Sequence, residues 1–169
     1  MGDIYKEQII KRKPTTKTTL YRAGLILAVA LVFIAGTAFL GGWGTTLALI
    51  AGFGAYFAMG FLYVEYEYTF TSGELDIDII YNKSRRKRLF SGQVKDFEIM
   101  AHAEDKIHAG DFSNTQETLD CSSGEVSDDT YAFLTNYNGK RLKIIIEPNE
   151  MMFKAIASSL TPRKLFKKV

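Results

Sequence analysis

The sequence predicts a membrane α+β protein, in which a hairpin of two transmembrane helices precedes a small antiparallel β sandwich or barrel closed by a C-terminal amphipathic helix. Three observations carry this prediction. A run without charge occupies residues 23–64, apolar and polar residues alternate from Val64 onward, and an apolar stripe at helical spacing follows Pro148. The 105 residues after the uncharged run are enough for one modest hydrophobic core.

The uncharged run is long enough for two membrane spans. Its 42 residues include no Asp, Glu, Lys, Arg or His, and one helical span needs about 20 apolar residues at ~1.5 Å each. Gly41-Gly42-Trp43-Gly44 favours a turn, so we expect a hairpin over residues 21–64, with helices over 21–40 and 45–63. A buried hairpin of a soluble protein would show polar stripes, and an immediate second span argues against a cleaved signal peptide.

Positive charge is concentrated before the first helix. Residues 1–22 contain six Lys or Arg against two acids, whereas residues 65–169 contain fifteen against seventeen. Flanking cations tend to stay on the cytoplasmic side of a membrane, and the turn over residues 41–46 has none. We therefore expect a multi-pass protein of the cell membrane with both termini cytoplasmic, beginning with a basic cytoplasmic tail over residues 1–20.

Small residues recur at spacing four in the second span. Ala48 and Gly52 form one such pair, and Ala51 and Ala55 form another. Small side chains let helices approach closely, so these residues predict helix packing, either within the hairpin or in a homo-oligomer. Because neither span contains an ionisable residue, a pump or transporter acting alone is not expected.

About seven meandering strands and one helix are predicted for residues 65–161. Alternation in Val64–Thr71 and again after Gly73 indicates a β-hairpin. Asn138-Gly139 is a strong signal for a second hairpin with a type I′ turn, and Asn149 can cap a helix that ends before Pro162. Other strands are predicted near residues 85–90, 94–102, 115–121, 130–137 and 142–146, and residues 162–169 are expected to form a basic tail.

Three segments of this domain carry a resemblance to known proteins. They are Glu67-Tyr68-Thr69-Phe70-Thr71-Ser72-Gly73-Glu74-Leu75, the basic strand over residues 85–89, and residues 94–100. With the order of elements, they resemble the pleckstrin-homology-like (PH-like) fold, and more closely the bacterial PH-like domains that directly follow a two-span hairpin. The whole chain also looks like an uncharacterised bacterial family of two-span proteins. The resemblance implies a fold and a membrane location, and it implies no activity.

A basic cluster of five cations within six residues is the candidate contact site. Its members are Lys83, Arg85, Arg86, Lys87 and Arg88. Cations near a membrane surface attract anionic lipid headgroups, so the cluster could contact lipid or a protein partner. The alternative is a solvated charge run that protects a strand edge from aggregation. Nucleic acid is not expected as a partner, because no aromatic residues are interleaved with the cations.

The remaining candidates are weaker. His102, Asp105, His108 and Asp111 lie close in sequence but match no known metal-site spacing. Cys121 has acidic neighbours, which oppose thiolate formation. We therefore expect no metal site, no cofactor and no catalytic residue. The last segment could be a second membrane contact or a disordered tail, and its residues are Arg163, Lys164, Leu165, Phe166, Lys167 and Lys168.

Two functions follow from these observations. The first is an integral membrane protein that displays a non-catalytic PH-like binding or scaffold domain at the cytoplasmic face. The second is a structural or assembly subunit that joins a larger membrane complex through its transmembrane helices. An enzyme is not expected, since no catalytic motif is recognisable.

Overall fold

A computed structural model describes residues 5–161 and 164–166 of the chain. The chain divides into two compact units. A helical unit consists of residues 14–64 and 81–84, and a β unit consists of the described residues within 1–13, 65–80 and 85–169. The chain therefore leaves the β unit for the helical unit and returns twice.

The helical unit contains two long antiparallel helices, α1 (Thr16–Leu40) and α2 (Gly42–Phe61). By length and composition, both are apolar enough to cross a membrane. Helix α1 begins five residues before the predicted start, because the Thr15 hydroxyl caps it by accepting a hydrogen bond from the Thr18 amide. The turn between the helices is Gly41 alone, with φ of 56°, so most of the predicted turn belongs to α2.

Glycine allows the two helices to touch at the turn end of the hairpin. A Cβ atom added to Gly44 would lie 2.0 Å from the carbonyl carbon of Gly36. Ala48 and Ala55 are the other buried residues of α2, whereas Ala51 and Gly52 are half-buried. Every buried residue of α2 is therefore a glycine or an alanine, whereas α1 has no buried residue.

Nine strands and one helix make up the described part of the β unit, except that Val64 of β2 and Tyr81 of β3 belong to the helical unit. The first sheet has the order β1-β2-β3-β4, and the second has the order β6-β8-β7-β5-β9. A 3₁₀ turn over Val94–Asp96 follows β4. The elements are β1 (Tyr5–Lys11), β2 (Val64–Thr71), β3 (Glu74–Tyr81), β4 (Arg85–Gln93), β5 (Ile99–His102), β6 (Glu117–Asp120), β7 (Tyr131–Tyr137), β8 (Lys140–Ile146), α3 (Glu150–Ser159) and β9 (Leu165–Phe166).

Strand β1 lies in a segment for which the sequence predicts a tail. It pairs antiparallel with β2, from Tyr5↔Thr71 to Lys11↔Glu65. The Gln8 amide donates a hydrogen bond to the Glu147 carbonyl at 2.9 Å, and its oxygen accepts one from the Asn149 amide at 2.8 Å. Its sequence shows no clear alternation, because an edge strand with a half-exposed face places little demand on side-chain type.

Two strand pairs are parallel, where a purely antiparallel meander is predicted. Strand β6 runs parallel to β8, and β9 runs parallel to β5. Both parallel pairs are reached through long connections, which such pairs require. Leu165 and Phe166 therefore belong to a sheet, although the sequence predicts a tail there. The type I′ turn at Asn138-Gly139 is confirmed, with φ of 51° and 75°.

Aromatic residues fill the core of the β unit. The rings of Phe97 and Phe133 stack at 4.0 Å, and the ring of Phe90 meets Phe133 edge-on at 5.6 Å. Helix α3 buries Met152 and Ile156, and Asn149 caps it by accepting a hydrogen bond from the Met152 amide at 2.8 Å. Because Phe90 belongs to β4, this packing fixes the strand that carries the four cations of residues 85–88.

Candidate functional site

The basic cluster is divided between the two units. Lys83 lies in the helical unit, whereas the other four cations lie on β4 in the β unit. All five side chains are exposed. Their partners differ, and these partners decide which cations remain available to a ligand.

Two of the cations form ion pairs with acidic residues of the first sheet. Arg86 Nη2 donates a hydrogen bond to Glu67 Oε1 at 2.9 Å and lies 2.9 Å from Oε2. Arg88 is hydrogen-bonded to Asp78, and its Nη1 lies 2.9 Å from Asp76 Oδ2. The hydrogen bond to Asp78 raises the pKa of Arg88. These carboxylates neutralise both arginines, so the sheet face is a charge network and less basic than the sequence suggests.

Glu67 is the most enclosed acid of this network. Its side chain is 4% exposed, against 57% for Arg86. Burial raises the pKa of Glu67, Arg86 opposes this effect, and the neighbouring Glu7 adds to it. The Tyr5 hydroxyl in turn donates a hydrogen bond to Glu7 at 2.7 Å. The pairing with Arg86 therefore offsets only part of the cost of burying this carboxylate.

Arg85 and Lys87 are the cations of β4 that remain open to solvent. Neither forms an ion pair or a side-chain hydrogen bond with any residue in the described part of the chain. A shallow cavity of about 260 Å³ beside Lys87 is also lined by Lys140 and Glu117. The charge that β4 offers to an anionic partner is therefore about half of what its sequence contains.

Lys83 is held in a tight turn within the helical unit. Asn82 and Lys83 have φ of 49° and 55°, as a type I′ turn requires at both central positions. The Asn82 amide donates a hydrogen bond to the Tyr63 carbonyl at 2.9 Å, and Lys83 Nζ lies 5.4 Å from the centre of the Tyr63 ring. Gly60 permits this approach, since a Cβ there would lie 3.0 Å from the Asn82 side chain.

A cleft of about 760 Å³ opens beside this turn. Its lining combines two cations, one amide and several aromatic rings. The lining residues are Arg22, Tyr56, Phe57, Met59, Gly60, Tyr63, Asn82 and Lys83. No local pattern in the sequence indicates this cleft, because Arg22 lies 61 positions before Lys83 and only the folded hairpin and turn bring them to one cavity.

Two other N-terminal cations serve the β unit. Arg12 Nη1 lies 2.8 Å from Asp120 Oδ2 and donates hydrogen bonds to the carbonyls of Asp120 and Ser122. Lys13 pairs with Glu125. Burial alone would raise the pKa of Asp120, but hydrogen bonds from Ser122 and Arg12 hold it below its usual value. These cations therefore anchor the chain just before α1 to the β unit.

The histidines do not come together with the acids as a metal site. His108 Nδ1 lies 2.8 Å from Asp105 Oδ2, and this hydrogen bond lowers the pKa of Asp105. His102 is buried, its Nδ1 accepts a hydrogen bond from the Glu104 amide, and its Nε2 lies 3.1 Å from the Ser127 carbonyl. Within residues 5–161 and 164–166, no group of three or more His, Cys, Asp or Glu could hold a metal ion.

Cys121 is a buried structural residue. It is 1% exposed, and burial raises the pKa of its thiol to about 12. Its carbonyl accepts a hydrogen bond from the buried Tyr68 hydroxyl at 2.6 Å, and that hydroxyl accepts another from the Glu147 amide at 3.2 Å. A protonated, enclosed thiol is a poor nucleophile.

The C-terminal basic segment is described only in part. Lys164 Nζ donates a hydrogen bond to the Lys95 carbonyl at 3.1 Å. Leu165 and Phe166 form β9. The sequence predicts a tail or a second membrane contact for Arg163, Lys167 and Lys168. These residues lie outside the described part of the chain.

Comparison with known families identifies the fold. A family model described as Bacterial PH-like domain (DUF6106) matches residues 2–167. The chain belongs to this family. The DUF6106 match includes β1, the helical hairpin and the β unit, so the predicted resemblance to an uncharacterised bacterial PH-like family is confirmed. Searches of curated proteins and of solved structures gave no match.

Proposed function

We propose that this DUF6106 protein is an integral membrane protein whose hairpin anchors a non-catalytic PH-like binding module at the cytoplasmic face. Helices α1 and α2 span roughly 37 Å and 30 Å at ~1.5 Å per residue, against ~30 Å of bilayer hydrocarbon. Each helix is therefore long enough for one crossing.

The main support for the proposal is that the helical hairpin connects two strands that pair with each other in one sheet. In sequence, the two helices lie between β1 and β2, and these strands pair with each other up to Lys11↔Glu65. Because one sheet cannot be divided by a bilayer, both ends of the hairpin must be on the side where this sheet folds. The six cations of residues 1–22 favour the cytoplasm as that side.

The surface of the helices supports a membrane environment over an aqueous one. Helix α1 buries none of its residues, and large apolar side chains on the hairpin are exposed, including Phe39 at 87% and Trp43 at 79%. A core helix of a soluble protein buries its apolar side chains. An apolar surface on this scale is stable in lipid, where the hydrocarbon chains cover it.

The β unit has exposed cations that favour binding, whereas two of the side chains considered for catalysis or metal binding are buried. Arg85 and Lys87 give β4 an open basic edge, and Cys121 and His102 are enclosed among their own neighbours. Side-chain cations near a membrane each contribute roughly 1 kcal/mol toward anionic groups. We therefore assign the docking of an anionic lipid surface or an acidic protein segment to this edge.

Photo-crosslinking in cells tests the binding module. A photo-crosslinking amino acid is placed at Lys87, with Val126 as the matched control, since Val126 is an exposed residue of a loop without the cations. We expect a discrete lipid or protein adduct from Lys87, lost when Arg85→Glu is added, and no adduct from Val126. Equal labelling at both positions would contradict the proposal. The full chain is required, because residues 65–169 alone would lack β1.

Exposed apolar residues on the helices favour one alternative, an assembly subunit of a larger membrane complex. Leu31 and Ile50 are 58% and 65% exposed on the hairpin, and such faces can pack against other spans. A crosslinker at Ile50 distinguishes the two functions. A protein adduct from Ile50 with none from Lys87 would favour the assembly subunit.

A further inference from the structure

We infer that the helical unit holds one anionic phospholipid, with its phosphate between Arg22 and Lys83 and an acyl chain in a groove along the hairpin. This inference rests on the proposed membrane location. It places lipid recognition on the helices, apart from the basic edge of β4. Three observations support it: the cleft beside the turn, the charge of that cleft, and an apolar cavity farther along the same helix faces.

The cleft has cations that no protein carboxylate neutralises. Arg22 and Lys83 both line it, and neither forms an ion pair with a described residue. No acid is among the lining residues. The Tyr63 ring and the turn hydrogen bond hold Lys83 in place, and the exposed Asn82 side chain adds an amide donor. These groups match the charge and acceptor oxygens of a phosphate.

A second, apolar cavity lies farther along the same side of both helices. This cavity of about 600 Å³ is lined by Ile26, Val29 and Phe33 of α1 and by Ala48, Gly52 and Phe53 of α2. The α1 residues follow Arg22 at intervals of three or four, so they share its helix face. The same spacing joins Gly52 and Phe53 to Tyr56 and Gly60 in the cleft. The two cavities therefore follow one another along the same face of the hairpin, where one acyl chain would extend from the first into the second.

The length of this groove matches one leaflet. Eleven residues separate Arg22 from Phe33, or about 16 Å along the helix. Half of the bilayer hydrocarbon is about 15 Å. Arg22 also lies eighteen residues from the end of α1, about 27 Å away, which places it near the opposite interface. A headgroup at Arg22 would thus lie at headgroup depth, with its chain extending toward the bilayer centre.

Charge decides between the occupants that fit an apolar groove. A neutral lipid would leave both cations without a counterion. A second hairpin in a parallel, symmetric pair would bring its own Arg22 and Lys83 to the same end, where like charges repel. An anionic phospholipid satisfies both the cations and the apolar groove, and free phosphate satisfies only the cations.

Native mass spectrometry of the full chain in mild detergent tests the inference. The protein is equilibrated with equal amounts of phosphatidylglycerol and phosphatidylcholine, and the retained lipid is counted. We expect one phosphatidylglycerol per chain, in preference to phosphatidylcholine. Retention should fall about 25-fold in Arg22→Gln/Lys83→Gln, because each of the two cations contributes about a fivefold factor. Inorganic phosphate in excess should not displace the lipid.

Two further variants make the result specific. Lys11→Gln/Lys17→Gln removes two cations from the same flank of the hairpin without touching the cleft and should retain the lipid. Gly52→Leu keeps both cations and fills the groove, since a Cβ at Gly52 would meet Val29 at 3.8 Å, so it should lose the lipid. Slow labelling of the buried Cys121 verifies that the β unit of each variant is folded, and an unchanged helical circular-dichroism signal verifies the hairpin.

Several results would overturn the inference. A specific site would be excluded if both lipids were retained equally, or if Arg22→Gln/Lys83→Gln lost none of the bound lipid. It would also be excluded by an equal loss of lipid in Lys11→Gln/Lys17→Gln, or by undiminished retention in Gly52→Leu. Displacement by inorganic phosphate would show an anion site without lipid. Failure of the proposed function is distinguishable, because the protein would then leave membranes on washing with alkaline carbonate.

Discussion

Removing the Tyr68 hydroxyl should loosen the β unit around Cys121. The hydroxyl is buried and joins two segments, since it donates to the Cys121 carbonyl at 2.6 Å and accepts from the Glu147 amide at 3.2 Å. Tyr68→Phe keeps the ring but leaves these two backbone groups without that partner. An unsatisfied buried polar group costs about 1–3 kcal/mol. We expect a loss of that size in the free energy of opening.

The thiol of Cys121 offers a direct assay. It is the only cysteine of the chain and is 1% exposed, so a thiol reagent reacts with it only when the β unit opens. When opening and closing are fast, the labelling rate is proportional to the opening equilibrium. A loss of about 1–3 kcal/mol therefore predicts labelling about 5- to 150-fold faster in Tyr68→Phe.

Tyr5→Phe is the matched control. It also removes a hydroxyl that donates a hydrogen bond, to Glu7 at 2.7 Å, but Tyr5 is an exposed residue of β1. Surface substitutions usually change stability by less than about 0.5 kcal/mol, so the labelling rate should stay within about threefold of the native rate. An unchanged rate in Tyr68→Phe, or an equal acceleration in both variants, would refute the importance of the buried hydroxyl.

Three further predictions concern other parts of the structure. Gly44→Ala should destabilise the hairpin by about 1–3 kcal/mol, the range for overpacking, whereas Gly54→Ala, with no atom within 4 Å of the added Cβ, should not. Thermal unfolding of the two variants decides this, and equal melting temperatures would contradict it. Arg12→Gln should destabilise the β unit by about 1.5–3 kcal/mol, because it weakens hydrogen bonds of a charged group, while Lys11→Gln should have little effect. Faster Cys121 labelling in the first variant alone is the expected readout, and equal rates would argue against the anchoring role. Finally, the raised pKa of Glu67 means that the folded state holds this proton more tightly, so its contribution to stability falls as pH rises from the ordinary value of 4.5 through the raised pKa. Urea unfolding should show Glu67→Gln gaining stability relative to the native chain across that window, and the opposite trend would contradict the assignment.

The sequence predicted the elements whose periodicity is strong. The uncharged run marks both helices, and the alternation after Val64 marks β2 and β3, because one face of each strand must be apolar to fill the core. Asn138-Gly139 was recognisable because a type I′ turn needs positive φ at two successive residues. These signals are local, so a single sequence is enough to read them.

The features that the sequence did not predict depend on contacts between distant residues. Strand β1 is held by pairing with β2 and by Gln8, whose partners lie some 140 positions away. The acids that neutralise Arg86 and Arg88 are on β2 and β3, so the net charge of the basic cluster could not be read from its own residues. Arg22 and Lys83 likewise meet at one cleft only after the hairpin and its turn have formed.

Cysteine accessibility in intact cells shows directly whether the hairpin crosses a membrane with the N-terminal strand and the β unit on its cytoplasmic side. In a Cys121→Ala background, single cysteines replace the exposed residues Tyr5, Trp43 and Ile107. We expect an impermeant maleimide to label Trp43→Cys in intact cells, and to label Tyr5→Cys and Ile107→Cys only after permeabilisation. Labelling of Tyr5→Cys and Ile107→Cys from opposite sides, or recovery of the protein in the soluble fraction, would contradict it.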